Sequence, residues 1–253
     1  MAIRQLKMTS RTMLGPQARP IALAGLALML TGAPGCGDEG ARQSRSGSAG
    51  GVPATADANC LRFLREHRVP FTLAPPTRGI VTPIEVTGSF AGIRLTPRGR
   101  RAPVMDCELG RALVEAAPVF RGVGLTELSF SGAYDYRNRR GSSQLSAHAA
   151  GLAIDVHELT GRRGTVNVAK DFERGVGRWR GLNPTEGDMD GCVGSPRTSD
   201  GRRLRHLVCR LKHHSAFRVV ITPDDDRDHR DHLHLEAFPT PEARVSRLMR
   251  TVY

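Results

Sequence analysis

Apolar and polar positions alternate along Leu152-Ala153-Ile154-Asp155-Val156, with residues 152, 154 and 156 on one face and Asp155 on the other. The same period returns at His232-Leu233-His234-Leu235, where the leucines share one face and the two histidines the opposite one. Both stretches predict short buried strands. If the strands are neighbours with their leucines toward the core, Asp155, His232 and His234 look into one cleft, and His148 reaches the same space through the turn at Gly151. Elsewhere the pattern predicts a short helix over 60–67 and, over 84–95, a strand, a turn at 89–92 and a second strand. Asp106 is placed to cap a helix running to about residue 120, with Leu109, Leu113 and Ala116 at helical spacing. A further strand is predicted over 125–136 and a short one over 166–168, preceded by a hairpin at 161–164. The Gly-, Pro-, Ser- and Asp-rich stretch 181–201 reads as a long loop. A basic amphipathic helix follows over 202–215, then a strand over 217–222, an acidic turn over 223–228, the strand 232–238 and a closing helix over 241–249. The fold class is therefore α+β: a small, mainly antiparallel sheet with flanking helices on one side, and no internal repeats.

The amino-terminal region breaks this pattern. Arg4, Lys7, Arg11 and Arg19 precede an apolar run over 21–30, and small residues lead to Cys36. That run falls short of the roughly 20 apolar residues of a membrane span and fits a secretory signal peptide over 1–35. Cys36 sits like the lipidated cysteine of a lipoprotein, with simple cleavage as the alternative, because Ala33 and Pro34 depart from the usual processing pattern. Residues 36–58 have no periodicity and read as a disordered tether, leaving 59–253 as one folded domain, long enough to bury a core. The chain is thus expected to be exported, periplasmic or anchored to the membrane only through lipid on Cys36.

With 37 Lys and Arg against 25 Asp and Glu among 253 residues, the net charge is +12. The basic residues are scattered and no recognition motif accompanies them, so no nucleic-acid partner is expected. A positive field instead suits peptidoglycan or another anionic envelope polymer, bound by a monomer. Beyond Cys36, four cysteines remain, an even number for an exported chain: Cys60, Cys107, Cys192 and Cys209. They leave three disulfide pairings open, and without a C-x-x-C pair a cysteine zinc site is the weaker reading.

Two imidazoles and a carboxylate around one cleft suit a catalytic zinc site, with three protein ligands and an open fourth position. His232, two residues before His234 on one face, is crowded as a further ligand but placed to move a proton, and Asp231 beside it can orient an imidazole. Gln144 and Ser146 are candidates to hydrogen-bond substrate, or equally to cap a turn. His157 shares the face of Asp155, so it can lie beside the site, though it reads more as a satisfied surface histidine. His229 belongs to the acidic turn and is not chosen, and His213 and His214 end the basic helix, where a histidine suits the helix dipole.

The pattern S-x-H-x-x-G-x-A-x-D (Ser146, His148, Gly151, Ala153, Asp155) with the later D-H-x-H (Asp231, His232, His234) resembles the zinc peptidases of the lysostaphin, D-Ala-D-Ala metallopeptidase and hedgehog group. More narrowly, about 60–238 is similar to the bacterial extensin-like C-terminal domain family, through Cys60, the Cys107–Leu113 helix segment, Gly132-Ala133-Tyr134-Asp135-Tyr136-Arg137 and the two stretches above. Tyr136 stands where that family usually has a cysteine. The resemblance implies a zinc-peptidase architecture with Zn²⁺ on His148, Asp155 and His234, and His232 as general base and acid. It also implies that Arg137 holds a substrate carboxylate or oxyanion. It favours Cys60–Cys107 and, with Cys192 standing in for the cysteine absent at Tyr136, Cys192–Cys209. The function implied is hydrolysis of an amide bond in peptidoglycan peptides, and the alternative is a non-catalytic envelope-binding module that keeps the fold.

Overall fold

The computed structural model describes residues 56–99, 103–178 and 186–252. The expected signal peptide, Cys36 and the tether as far as residue 55 lie outside the described residues. Asp57, at the end of that tether, is already part of the fold. Its carboxylate caps α1 (Ala58–Glu66), accepting from the backbone N–H groups of Asn59 and Cys60 at 2.8 and 2.9 Å, two donors that a helix start leaves free. The helix therefore begins two residues earlier than the apolar pattern alone suggests.

The chain next forms β1 (Phe71–Leu73), β2 (Pro83–Val86), β3 (Ser89–Phe90), β4 (Ile93–Pro97) and β5 (Val104–Asp106). The strand–turn–strand expected over 84–95 is split between two sheets. β2 lies between β1 and β5 in a three-stranded antiparallel sheet. β3 and β4 form a hairpin at the edge of a larger sheet, turning through Ala91 (φ 44°) and Gly92 (φ 83°), the pair of positive φ values that matches a two-residue turn to strand twist. Asp106 caps α2 (Cys107–Gly122) through the N–H of Glu108 at 2.9 Å, while its other oxygen accepts from Val81 and Thr82. One carboxylate thus fixes both the helix start and the entry to β2.

The larger sheet has seven strands: β3, β4, β6 (Leu125–Phe130), β7 (Ala153–Gly161), β10 (Leu233–Ala237) and β9 (Phe217–Ile221) in that order, with β8 (Gly164–Asn167) paired to β7. It is larger than expected and mixed, because β4 and β6 run parallel, with α2 in the long connection that a parallel pair requires. The buried face of α2, including Leu109, Leu113, Ala116 and Phe120, joins Ile154, Val156, Leu233 and Leu235 in one core. β6 ends at Phe130 rather than near residue 136. A register shift at Ser129/Phe130 opens the ladder, and residues 134–136 are held instead by the Tyr134 hydroxyl on the Arg78 carbonyl (2.9 Å) and by Arg78 over the Tyr136 ring (3.9 Å).

The stretch expected as a loop over 181–201 contains α4 (Glu186–Val193) and the start of α5 (Ser199–His213), after the short α3 (Val168–Asp171). Its composition hides two stabilising contacts. Arg205 donates to the carbonyls of Cys192 and Val193 at 2.8 and 2.7 Å, satisfying the end of α4. Cys192 is bonded to Cys209 of α5, and Cys60 of α1 to Cys107 of α2. Two disulfides point to an oxidising, exported location. The last helix is α6 (Pro241–Val252). Among the described residues no helix is long and apolar enough to cross a membrane.

Candidate functional site

β7 and β10 are antiparallel neighbours with His234 directly opposite Asp155, and Leu233 and Leu235 opposite Val156 and Ile154. The leucines are fully buried in the core, so Asp155 and His234 face the other side, as alternation requires. His148 arrives from a 3₁₀ turn (Ala147–Ala150) just before β7. The Ser146 hydroxyl caps this turn by accepting the His148 N–H at 3.3 Å, and Gly151 (φ 65°) closes it. A Cβ at Gly151 would meet the Asp106 nitrogen at 2.7 Å, so both conformation and space require glycine.

The three side chains converge. His148 Nε2 is 3.2 Å from His234 Nδ1 and 3.3 Å from Asp155 Oδ2, and His234 Nδ1 is 2.9 Å from Asp155 Oδ1. Burial works against ionisation of Asp155, yet hydrogen bonds from His148 and His234 prevail and hold its carboxyl well below the usual range. Burial pushes the pKa of His234 down, which favours the neutral imidazole that binds metals. One ligand atom from each residue lies within 4.8 Å of the others, so the group can hold a metal ion. His148 Nδ1 is buried with no partner among the described residues.

His232 stands beside this group, its Nε2 3.5 Å from Asp155 Oδ1 and its Nδ1 2.7 Å from Asp231 Oδ1. That hydrogen bond from His232 lowers the pKa of Asp231. Behind it lies His157, which is buried, not the surface histidine its position suggests. Its Nδ1 donates to the Asp231 carbonyl at 3.1 Å and its Nε2 accepts from the Ser131 hydroxyl at 2.7 Å, which fixes the neutral tautomer. His157, Asp231 and His232 form a second group of metal-capable residues, but both nitrogens of His157 are engaged within the protein.

The cleft has a volume of about 850 Å³, within the ~300–1,000 Å³ of small-molecule sites. Arg137 lies on its wall, with Nε bound to Asp135 Oδ2 at 2.7 Å. Ser146 also lines it, while Gln144 is exposed and is not among the lining residues. Two participants, Glu236 and His229, escape the sequence reading. Glu236 is buried with Oε2 3.8 Å from His234 Nε2, and it pairs with Arg218. His229 is held by Asp226 at 2.7 Å, and its ring lies 5.0 Å from that of His232 and 5.4 Å from that of His234. The period of two in His232-Leu233-His234-Leu235-Glu236 was a signal for Glu236, and nothing local distinguishes His229 from a turn residue. Comparison with protein-family models, with curated proteins and with solved structures finds no match.

Proposed function

We propose that this chain is a zinc-dependent hydrolase of the cell envelope that cleaves an amide bond in peptidoglycan peptides. The observation that carries this reading is the convergence of His148, Asp155 and His234, 86 residues apart in sequence at the extremes, with the Asp231–His232 pair at their side. The donor set fits a catalytic zinc ion: two imidazoles and one carboxylate, facing a cleft with room for water and substrate. His148, His234 and Asp155 would hold it, and Glu236 would steady His234 from beside it. When bound, zinc in such a site polarises a carbonyl and lowers the pKa of water.

The remaining roles belong to the protein. Asp231 accepts from His232 Nδ1–H, so Nε2 remains the basic nitrogen facing the cleft. There it takes a proton from the attacking water and returns it to the leaving amine. Arg137, positioned by Asp135, offers its guanidinium to a substrate carboxylate or to the developing oxyanion. Ser146 acts through His148, whose turn it caps. Zinc content and release of new amines from peptidoglycan fragments test the reading together. Wild type should hold about one zinc per chain and release amines. Asp155→Ala should lose both, and His232→Asn should keep zinc and lose hydrolysis. A zinc-free wild type, or an Asp155→Ala variant that keeps metal and hydrolysis, overturns the proposal. Zinc without amine release would favour the envelope-binding module.

A further inference from the structure

A second cavity, of about 710 Å³, lies at the far end of β7 and shares no lining residue with the cleft. From Asp155 to Gly161 the strand advances roughly 20 Å at its usual rise per residue. Six arginines line the cavity, and no lining residue is a carboxylate: Arg121 from the end of α2, Arg162 and Arg163 from the β7–β8 turn, and Arg202, Arg203 and Arg210 from α5. None of the six forms an ion pair with a described residue. Asp200 acts on Arg203 through its charge without forming an ion pair with it.

Arg203 makes this a built site. The side chain is only 8 % exposed. Its Nε donates to the Val123 carbonyl and its Nη2 to the Gly124 carbonyl, both at 3.0 Å, while Nη1 is buried without a partner. The backbone closes tightly around it: a Cβ at Gly161 would lie 1.9 Å from the Gly124 carbonyl oxygen and 2.7 Å from Arg203 Nη2. Arg202 and Arg210, two turns apart, extend the same face of α5. Like charges gathered this closely repel, and guanidinium groups are strongly complementary to phosphate oxygens.

We propose that this cavity binds a ligand carrying several phosphate groups, with Arg203 at its floor and Arg162 and Arg163 closing over it from the turn. The volume suits several anionic groups, not one ion. This inference is independent of the hydrolase reading. Its test is calorimetric titration of the full chain with tripolyphosphate at about 150 mM salt, where long-range attraction is largely screened. Wild type should bind at one site, and its melting temperature should rise with added tripolyphosphate. Arg162→Ala/Arg163→Ala, confined to an exposed turn, should weaken binding roughly tenfold or more. Arg203→Lys keeps the charge but not the fork, and should weaken it as well. Absence of binding at that salt, or equal affinity in the double variant, overturns the proposal. Vesicles containing cardiolipin, whose headgroup carries two phosphates, separate the sources: displacement of tripolyphosphate by them identifies a lipid headgroup, and its retention a soluble phosphate ligand.

Discussion

Glu236 places a carboxylate on the same face of β10 as His234, where it lines the cleft beside it. Buried and paired with Arg218, it faces His234 Nε2 while Nδ1 points at Asp155 and His148. Such outer carboxylates fix the orientation of a ligating imidazole, and their loss typically costs about 10- to 100-fold in metal affinity. Glu236→Gln should therefore weaken zinc binding by about tenfold in a competitive chelator titration, with far-ultraviolet dichroism unchanged. Unaltered affinity would show that Glu236 serves only as a buried partner for Arg218. The residues nearest the proposed ion were legible in part: alternation turned Asp155 and His234 toward one cleft and the turn at Gly151 brought His148 near it, while the choice of these three as ligands rested on the resemblance of their motifs to the zinc peptidases. His157 was not legible, since its burial depends on the Ser131 hydroxyl and the Asp231 carbonyl, contacts from two distant segments that no local pattern records.

Among the elements, α2 is the one whose sequence and surroundings conflict most. Glu108, in its first turn, is 6 % exposed, and Oε1 has no partner. Burial pushes its pKa up to about 7 from an ordinary 4.5, against the opposing pull of Arg111 at 3.3 Å. A carboxyl whose folded pKa is raised binds its proton more tightly in the native state. Its contribution is fully present below pH 4.5 and is lost as the pH rises through about 7. Glu108→Gln should remove this slope, so that its denaturation midpoint changes less than that of wild type over the same window; parallel profiles would exclude titration of Glu108 there. The helix itself was legible from Asp106 and the Leu109–Leu113–Ala116 spacing. Strand partners were not. The alternation over 84–95 correctly signals extended chain, but nothing in it says that β2 joins one sheet and β3–β4 another. At 181–201 composition misled outright, because the carbonyls of α4 are satisfied by Arg205 from a helix downstream.

For the molecule as a whole, β7 is the shared member. β6 lies along one edge of it, and β10 and then β8 lie along the other. Its first residues carry Asp155 of the cleft, and its last, Gly161, presses against the Gly124 carbonyl and Arg203 beneath the arginine cavity. The excess of basic residues, which sequence alone reads as a diffuse positive field, is in part gathered at that one end. A strand paired on both edges cannot open at one end alone, so its amide protons should exchange with solvent chiefly when the whole domain unfolds. Zinc bound at Asp155 would then slow deuterium uptake as far away as Thr160, and a polyphosphate at the other end would do the same at Ile154.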